Sequence, residues 1–210
     1  AAIHGQGPRV ALLRSHGDQQ AHHAALYSQI TDRSTLSVRA GAAEADLRRT
    51  ADLIARHRDD VMTFIGVCPS NLLSFSEGYF REAHALARET SAALHVHAAR
   101  DREEVEFCLA LWGRRPIERL ADLGVLDERT VIVHGMLATA REAGLMAEAG
   151  AAVAHSAVEV ANILARVPDI PALRARGVRV GLGCDNAVND MWETLRAAWL
   201  LHLAGRGIES

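Results

Sequence analysis

Short β-type runs alternate with longer helical stretches along the whole chain, and this alternation constrains the fold more than any other feature. Strand patterns fall at 9–14, 35–39, 61–67, 93–97, 130–134, 151–155 and 178–183. Helical periodicity fills 20–30, 44–57, 77–89, 102–112, 139–149, 170–176 and 190–204. Thr139 with Glu142 reads as a capping box, and Gly150 as the stop of the same helix. Pro168 and Pro171 open the next helix and Gly177 ends it. The last helix puts Met191, Leu195, Ala198, Trp199 and His202 on one face. Each unit spans roughly 30 residues, the size of a βα repeat, so the sheet is expected to be parallel. An open doubly wound sheet and a closed (β/α)8 barrel both satisfy the pattern. A barrel usually needs about 250 residues, and 210 is short for one. No linker or low-complexity tract splits the chain, so 1–210 reads as a single domain.

What ends each strand is the second constraint. The segments Leu94-His95-Val96-His97, Val131-Ile132-Val133-His134, Ala152-Val153-Ala154-His155 and Gly181-Leu182-Gly183-Cys184-Asp185 are four successive apolar strands, each closing on a histidine or an aspartate. In a parallel α/β fold these ends converge on one face, where active sites are built. Three imidazoles and a carboxylate gathered there suit a divalent metal. Zinc accepts both donor types, keeps a position for water at catalytic sites, and lowers the pKa of that water towards 7. A single histidine at a strand end is more often structural; four such endings in register favour the functional reading. His95 shares the His97 side of its strand but lies deeper. His22, His23, His57 and His84 fall on helices and are expected at the surface, and His4 lies in an unstructured start.

Composition narrows the chemistry. All 23 basic residues are arginine and no lysine occurs. That excludes a P-loop, pyridoxal and Schiff-base chemistry, and a binuclear site bridged by a carboxylated lysine. No Gly-rich phosphate loop follows the first strand, which weakens a dinucleotide-binding reading. A net charge of −3 and 4% aromatics offer neither a basic field nor stacking platforms for nucleic acid. No apolar run approaches the length of a membrane span, and no signal-peptide pattern opens the chain. Cys68, Cys108 and Cys184 are odd in number and lack metal or disulfide spacing, so a reduced, cytoplasmic setting is the default expectation. The chain begins without methionine, which points to processing or truncation.

From about Val61 onward the sequence resembles the amidohydrolase superfamily, in the branch of adenosylhomocysteine/methylthioadenosine deaminases, guanine deaminases and triazine hydrolases. Leu94 to Arg100 (LHVHAAR) resembles that branch's fifth strand, and Thr130 to Leu137 (TVIVHGML) its sixth. Gly177 to Leu201 resembles strand eight and the helix after it. The match is strongest over 61–205. It implies a (β/α)8 TIM-type barrel, here incomplete, with about seven βα units and strand one missing. It also implies one divalent metal, zinc first and iron second. Carried over residue by residue, His97 would be a metal ligand. Asp185 would be a second ligand and accept a proton from the water the metal activates. His134 would polarise the substrate or stabilise its adduct. His155 would contact the substrate, and Asn186 and Asn189, followed by Asp190, would hold strand eight and its substrate side. The implied reaction is metal-dependent hydrolysis of a non-peptide C–N bond, a deamination of a purine-, pyrimidine- or triazine-like small molecule.

Three departures qualify the resemblance. The family's His-x-His motif on strand one is missing; the nearest segment, Arg14-Ser15-His16, has arginine at its first position. Arg100 stands where the branch has a proton-shuttling glutamate, and an arginine cannot shuttle a proton at neutral pH. The loops Gly66-Val67-Cys68-Pro69 and His155-Ser156-Ala157-Val158-Glu159-Val160 replace family patterns on the substrate side. A non-catalytic barrel relative that binds a small molecule or a partner chain is therefore the alternative, and an unrelated α/β binding module ranks third. A barrel lacking a strand leaves two open edges, so a homo-oligomer is expected.

Overall fold

The computed structural model describes residues 10–14, 42–162, 166–185 and 190–205. Within them six strands form one parallel sheet: β1 (Val10–Arg14), β2 (Thr63–Val67), β3 (Leu94–Ala98), β4 (Thr130–His134), β5 (Ala152–His155) and β6 (Arg179–Leu182). The helices are α1 (Ala42–Arg56), α2 (Glu77–Thr90), α3 (Arg102–Trp112), α4 (Pro116–Asp122), α5 (Ala140–Ala149), α6 (Ala157–Asn162), α7 (Ile170–Ala175) and α8 (Met191–Gly205).

Strand order is strictly sequential, β1-β2-β3-β4-β5-β6, with every pair parallel. A doubly wound sheet reverses its order at a switch point. This sheet never does, so the arc is that of a barrel, and an incomplete one. The expected helix 20–30 and strand 35–39 lie outside the described residues. Val10–Arg14 pairs directly with Thr63–Val67, so no strand intervenes between β1 and β2.

Two-residue alternation divides the strands between two environments. Leu94, Val96 and Ala98 of β3 are fully buried, while His95 and His97 are only partly so. The buried set packs with Ile132 and Val153 against Phe80, Ala83 and Ala87 of α2, Cys108 of α3, Ile117 and Leu120 of α4, and Met146 of α5. One sheet face is thus sealed by helices and the other is free to carry polar groups.

Caps set the helix limits where the sequence marks them. The Ser76 hydroxyl accepts the Tyr79 N–H at the start of α2, and Asp101 accepts the Glu104 N–H at the start of α3. The Thr139–Glu142 capping box is present, and Gly150 closes α5 at φ 70, a left-handed position that favours glycine. Two helices were not read individually. α4 occupies the long β3–β4 connection, and α6 follows β5 directly. His84 is not the solvated group expected: its Nε2 lies 2.8 Å from Asp127 Oδ2, and its side chain is largely covered.

Glu142 ties α4 to α5 from a completely buried position. Its Oε2 accepts from Arg115 Nε at 2.9 Å and from the Thr139 N–H, and its Oε1 accepts the Ile117 N–H. Removing one partner of such a buried pair strands the other. Glu142→Ala is expected to cost about 3–5 kcal/mol, whereas Thr139→Ala should cost about 1 kcal/mol. Urea denaturation followed by circular dichroism measures both.

Candidate metal centre

The C-terminal rim of the arc brings together His97 from β3, His134 from β4 and Asp185 after β6. Their candidate ligand atoms all lie within 4.8 Å of one another. The His97 and His134 ring centroids are 5.2 Å apart, and His134 Nε2 is 3.4 Å from Asp185 Oδ2.

Each side chain reaches this point by a different local device. His97 follows from alternation alone. Its Nδ1–H donates to the Ser70 carbonyl at 2.6 Å, and its backbone N–H donates to the same oxygen at 2.7 Å. This fixes the tautomer and leaves Nε2 as the free donor atom, as ligating histidines require. His134 is different. Thr130 and Ile132 are buried on the helix side of β4, and alternation would send His134 there too. Instead its backbone turns left-handed at φ 76, followed by Gly135 at φ 61, and the ring meets His97. Asp185 is also left-handed, at φ 53, as is Ala99 at φ 54 just beyond β3. Non-glycine residues in this region are uncommon and carry strain, and they concentrate at functional sites.

Burial lowers the His134 pKa to about 4. His97 pushes in the same direction and Asp185 opposes it. His134 is therefore a neutral imidazole at neutral pH. Two imidazoles and a carboxylate on three separate elements match the donor chemistry of a zinc site. Beside His97 opens a polar cavity of about 240 Å³, lined by Ser70, Asn71, Arg100, Asp101 and Glu104 among others. The Arg100 guanidinium is engaged by Asp101, with Nε at 2.9 Å from Oδ2.

The other sequence-predicted residues do not join this group. His155 keeps the helix side of its strand with Val153, and both are buried at 1% exposure. Its Nε2 lies 3.3 Å from His202 Nε2 on α8. It lines a cavity of about 580 Å³ with Ile170, Arg174, Leu182 and Trp199. Asn186 and Asn189 lie outside the described residues, as do His4, His16, His22 and His23. The sequence reading missed the Ser70 carbonyl, which no side-chain pattern reports. It also missed Glu104, although the Asp101-x-x-Glu104 spacing marks it as a residue that folds back over a helix start.

A parallel βα arc in strictly sequential strand order defines a TIM-type barrel, with two imidazoles and a carboxylate meeting at its C-terminal rim. The chain matches the Amidohydrolase family over residues 1–207, and it belongs to that family. It is 37% identical over 137 residues to a 5-methylthioadenosine/S-adenosylhomocysteine deaminase of Halobacterium salinarum, covering 63% of this chain and 32% of the relative. A deaminase of the same name from Haloarcula marismortui is 31% identical over 76% of this chain and 38% of its own. Among solved structures, a zinc-bound adenosine deaminase of Xanthomonas campestris superposes with a TM-score of 0.75 at 25% identity, covering 89% of this chain and 45% of that one. A triazine hydrolase variant gives 0.82 at 20% identity, over 99% and 45%; at that identity the likeness speaks for the fold alone. The chain spans about a third of the length of these curated relatives and less than half of these solved chains.

The His155–His202 contact carries a pH prediction. Burial, with His202 adding to it, lowers the His155 pKa to about 4, against about 6.5 in an unfolded chain. Between these values the unfolded state binds a proton that the folded state refuses. Stability is therefore full above about 6.5 and falls as pH drops towards 4. In the metal-free protein, urea midpoints at pH 7 and pH 5 should differ less for His155→Gln than for the wild type. An unchanged difference would contradict this assignment.

Proposed function

We propose that this chain carries the metal-binding rim of a hydrolase acting on non-peptide C–N bonds, specifically an aminohydrolase of a purine-, pyrimidine- or triazine-like ring. The convergence of His97, His134 and Asp185 within 4.8 Å is the observation that carries the reading. The deaminase names of the relatives support the same class.

His97 and Asp185 would hold one divalent metal, zinc first and iron second; zinc binding by the adenosine deaminase neighbour supports this choice. When bound, the metal would act as a Lewis acid and bring a water molecule's pKa towards neutrality. The chain's own groups would do the rest. Asp185 takes a proton from the attacking water. His134, neutral and buried beside Asp185, donates a hydrogen bond to the charge that develops on the substrate. Asn186 and Asn189 would serve the substrate side of the site. His155 would act on the substrate only from its place against α8.

A second reading, a non-catalytic relative that binds without turnover, is favoured by one observation. Arg100, beside His97 in the polar cavity, has its guanidinium engaged by Asp101 rather than carrying a transferable proton. Metal analysis after zinc loading separates the readings. The hydrolase requires one metal per chain, lost in His97→Ala and Asp185→Ala, together with ammonia release from an aminopurine nucleoside. Protein that stays metal-free in excess zinc would sink the hydrolase for this chain.

A reduced, cytoplasmic setting belongs to the same proposal. Cys68, Cys108 and Cys184 are all free. Among the described residues no helix is long and apolar enough to cross a membrane. So does a homo-oligomer. β1 and β6 end the sheet described, and Trp192, Leu195 and Trp199 of α8 are exposed at 82%, 52% and 62%. Light scattering should show a dimer or larger species that Trp199→Glu weakens; a well-folded wild-type monomer would contradict it.

A further inference from the structure

The end of β3 that carries His97 is held by a loop rather than by its neighbouring strand. The β2–β3 ladder registers only at Val67↔Leu94, at the start of β3. Further along, the segment after β2 takes over. Asn71 forms an isolated parallel bridge with His97. The Ser70 carbonyl accepts the His97 backbone N–H at 2.7 Å and lies 2.6 Å from His97 Nδ1. A carbonyl oxygen only accepts, so Nδ1 carries the ring proton. One oxygen thus places both the backbone and the ring of His97.

The direction of that oxygen depends on the next residue. A peptide unit is planar, so the Ser70 carbonyl turns rigidly with the backbone of Asn71. Asn71 is fixed in turn by its own side chain. Its Oδ1 accepts the Leu73 N–H and the Ser74 N–H, each at 3.0 Å, which closes an Asx turn. Two donors on one atom settle which end of the amide is oxygen, since an NH2 group there would face N–H groups. Leu72, Leu73 and Phe75 are buried and anchor the turn in the core. Of the two rim imidazoles only His97 is held in this way. His134 Nδ1 is buried without a hydrogen-bond partner among the described residues.

We propose that Asn71 is a positioning residue for His97: its side chain locks the peptide that carries the Ser70 carbonyl, and that carbonyl keeps the proton on Nδ1 so that Nε2 is free to bind a metal. This rests on the metal-dependent reading of the rim. Asn71 touches neither metal nor substrate in this role. It acts through a backbone oxygen, as the acceptors behind ligating histidines commonly do.

Two substitutions test the assignment. Asn71→Ala removes the acceptor of the turn, and Asn71→Asp keeps one. Long-range proton–nitrogen NMR spectra of the metal-free full chain at alkaline pH read the His97 tautomer directly. The wild type should show a protonated Nδ1. In Asn71→Ala the Nε2–H form should become the majority, and Asn71→Asp should restore Nδ1–H. The His84 ring, held by Asp127, should not move in either variant, which separates a local change from unfolding. A purely structural role would lower stability and leave the tautomer alone. Zinc affinity, measured by competition with a chelator, should weaken by about 10–100-fold in Asn71→Ala and stay close to wild type in Asn71→Asp. A wild type with the proton on Nε2, a folded Asn71→Ala that keeps it on Nδ1, or a folded Asn71→Asp that fails to restore it would overturn the proposal. A wild type that binds no zinc fails the hydrolase reading instead, and the tautomer comparison still decides whether Asn71 orients His97.

Discussion

Leu94, Val96 and Ala98 face the helices, so His95 and His97 must face the other way. The candidate site depends on that geometric obligation. A parallel strand covered by helices on one side spends every second residue on packing and leaves the intervening residues for chemistry. The sealed face supplies the cohesion, with Phe80, Ile117, Leu120, Ile132 and Met146 all essentially inaccessible to solvent. The opposite face can then hold imidazoles at its rim without weakening the core.

Alternation alone would not have assembled the group. It places His97 correctly and His134 wrongly, and the left-handed turn at His134 and Gly135 makes the correction. That conformation disfavours side chains with a Cβ by about 1–2 kcal/mol per residue. Asp185 and Ala99 carry the same strain on the same rim. Three consecutive apolar residues, Val131-Ile132-Val133, and an inaccessible outer face hold the backbone firmly enough to impose it. Ser91, the C-cap of α2, is also left-handed, but three of the four such non-glycine residues among those described lie at the rim, the pattern of a pre-organised site.

Much of this was legible in the sequence, and the failures have physical causes. The βα alternation, the Thr139–Glu142 box and the Gly150 stop are local signals, and local signals survive folding intact. Of the four strand endings, His97, His134 and Asp185 converge at the rim and His155 does not. The endings could not rank His134 against His155, because Ile132-Val133-His134 and Val153-Ala154-His155 read alike. Both put the histidine on the helix side, and only the first is followed by glycine. The next residue, Gly135 against Ser156, was the one signal available, and it acts through φ rather than through any side chain. The choice between an open sheet and a barrel was not readable from periodicity either. It depends on strand order, a long-range property that no local pattern encodes.

The two histidine pairs show why one rim position suits a cation and the other does not. His97, His134 and Asp185 lie together, so the group offers an imidazole nitrogen and a carboxylate as ligands with a second, neutral imidazole beside them. Against a divalent ion such a set leaves net positive charge, the condition under which a metal polarises a neighbouring oxygen. His155 and His202 face each other on a cavity that, among the described residues, is lined by Arg174 and by no carboxylate. Bringing a divalent cation there would add like charge beside the Arg174 guanidinium. That pair is better suited to sharing a proton between imidazoles and holding α8 against β5. The same residue type at the end of neighbouring strands thus takes different work: Asp185, arriving after β6, lies against His134 on β4, two strands away.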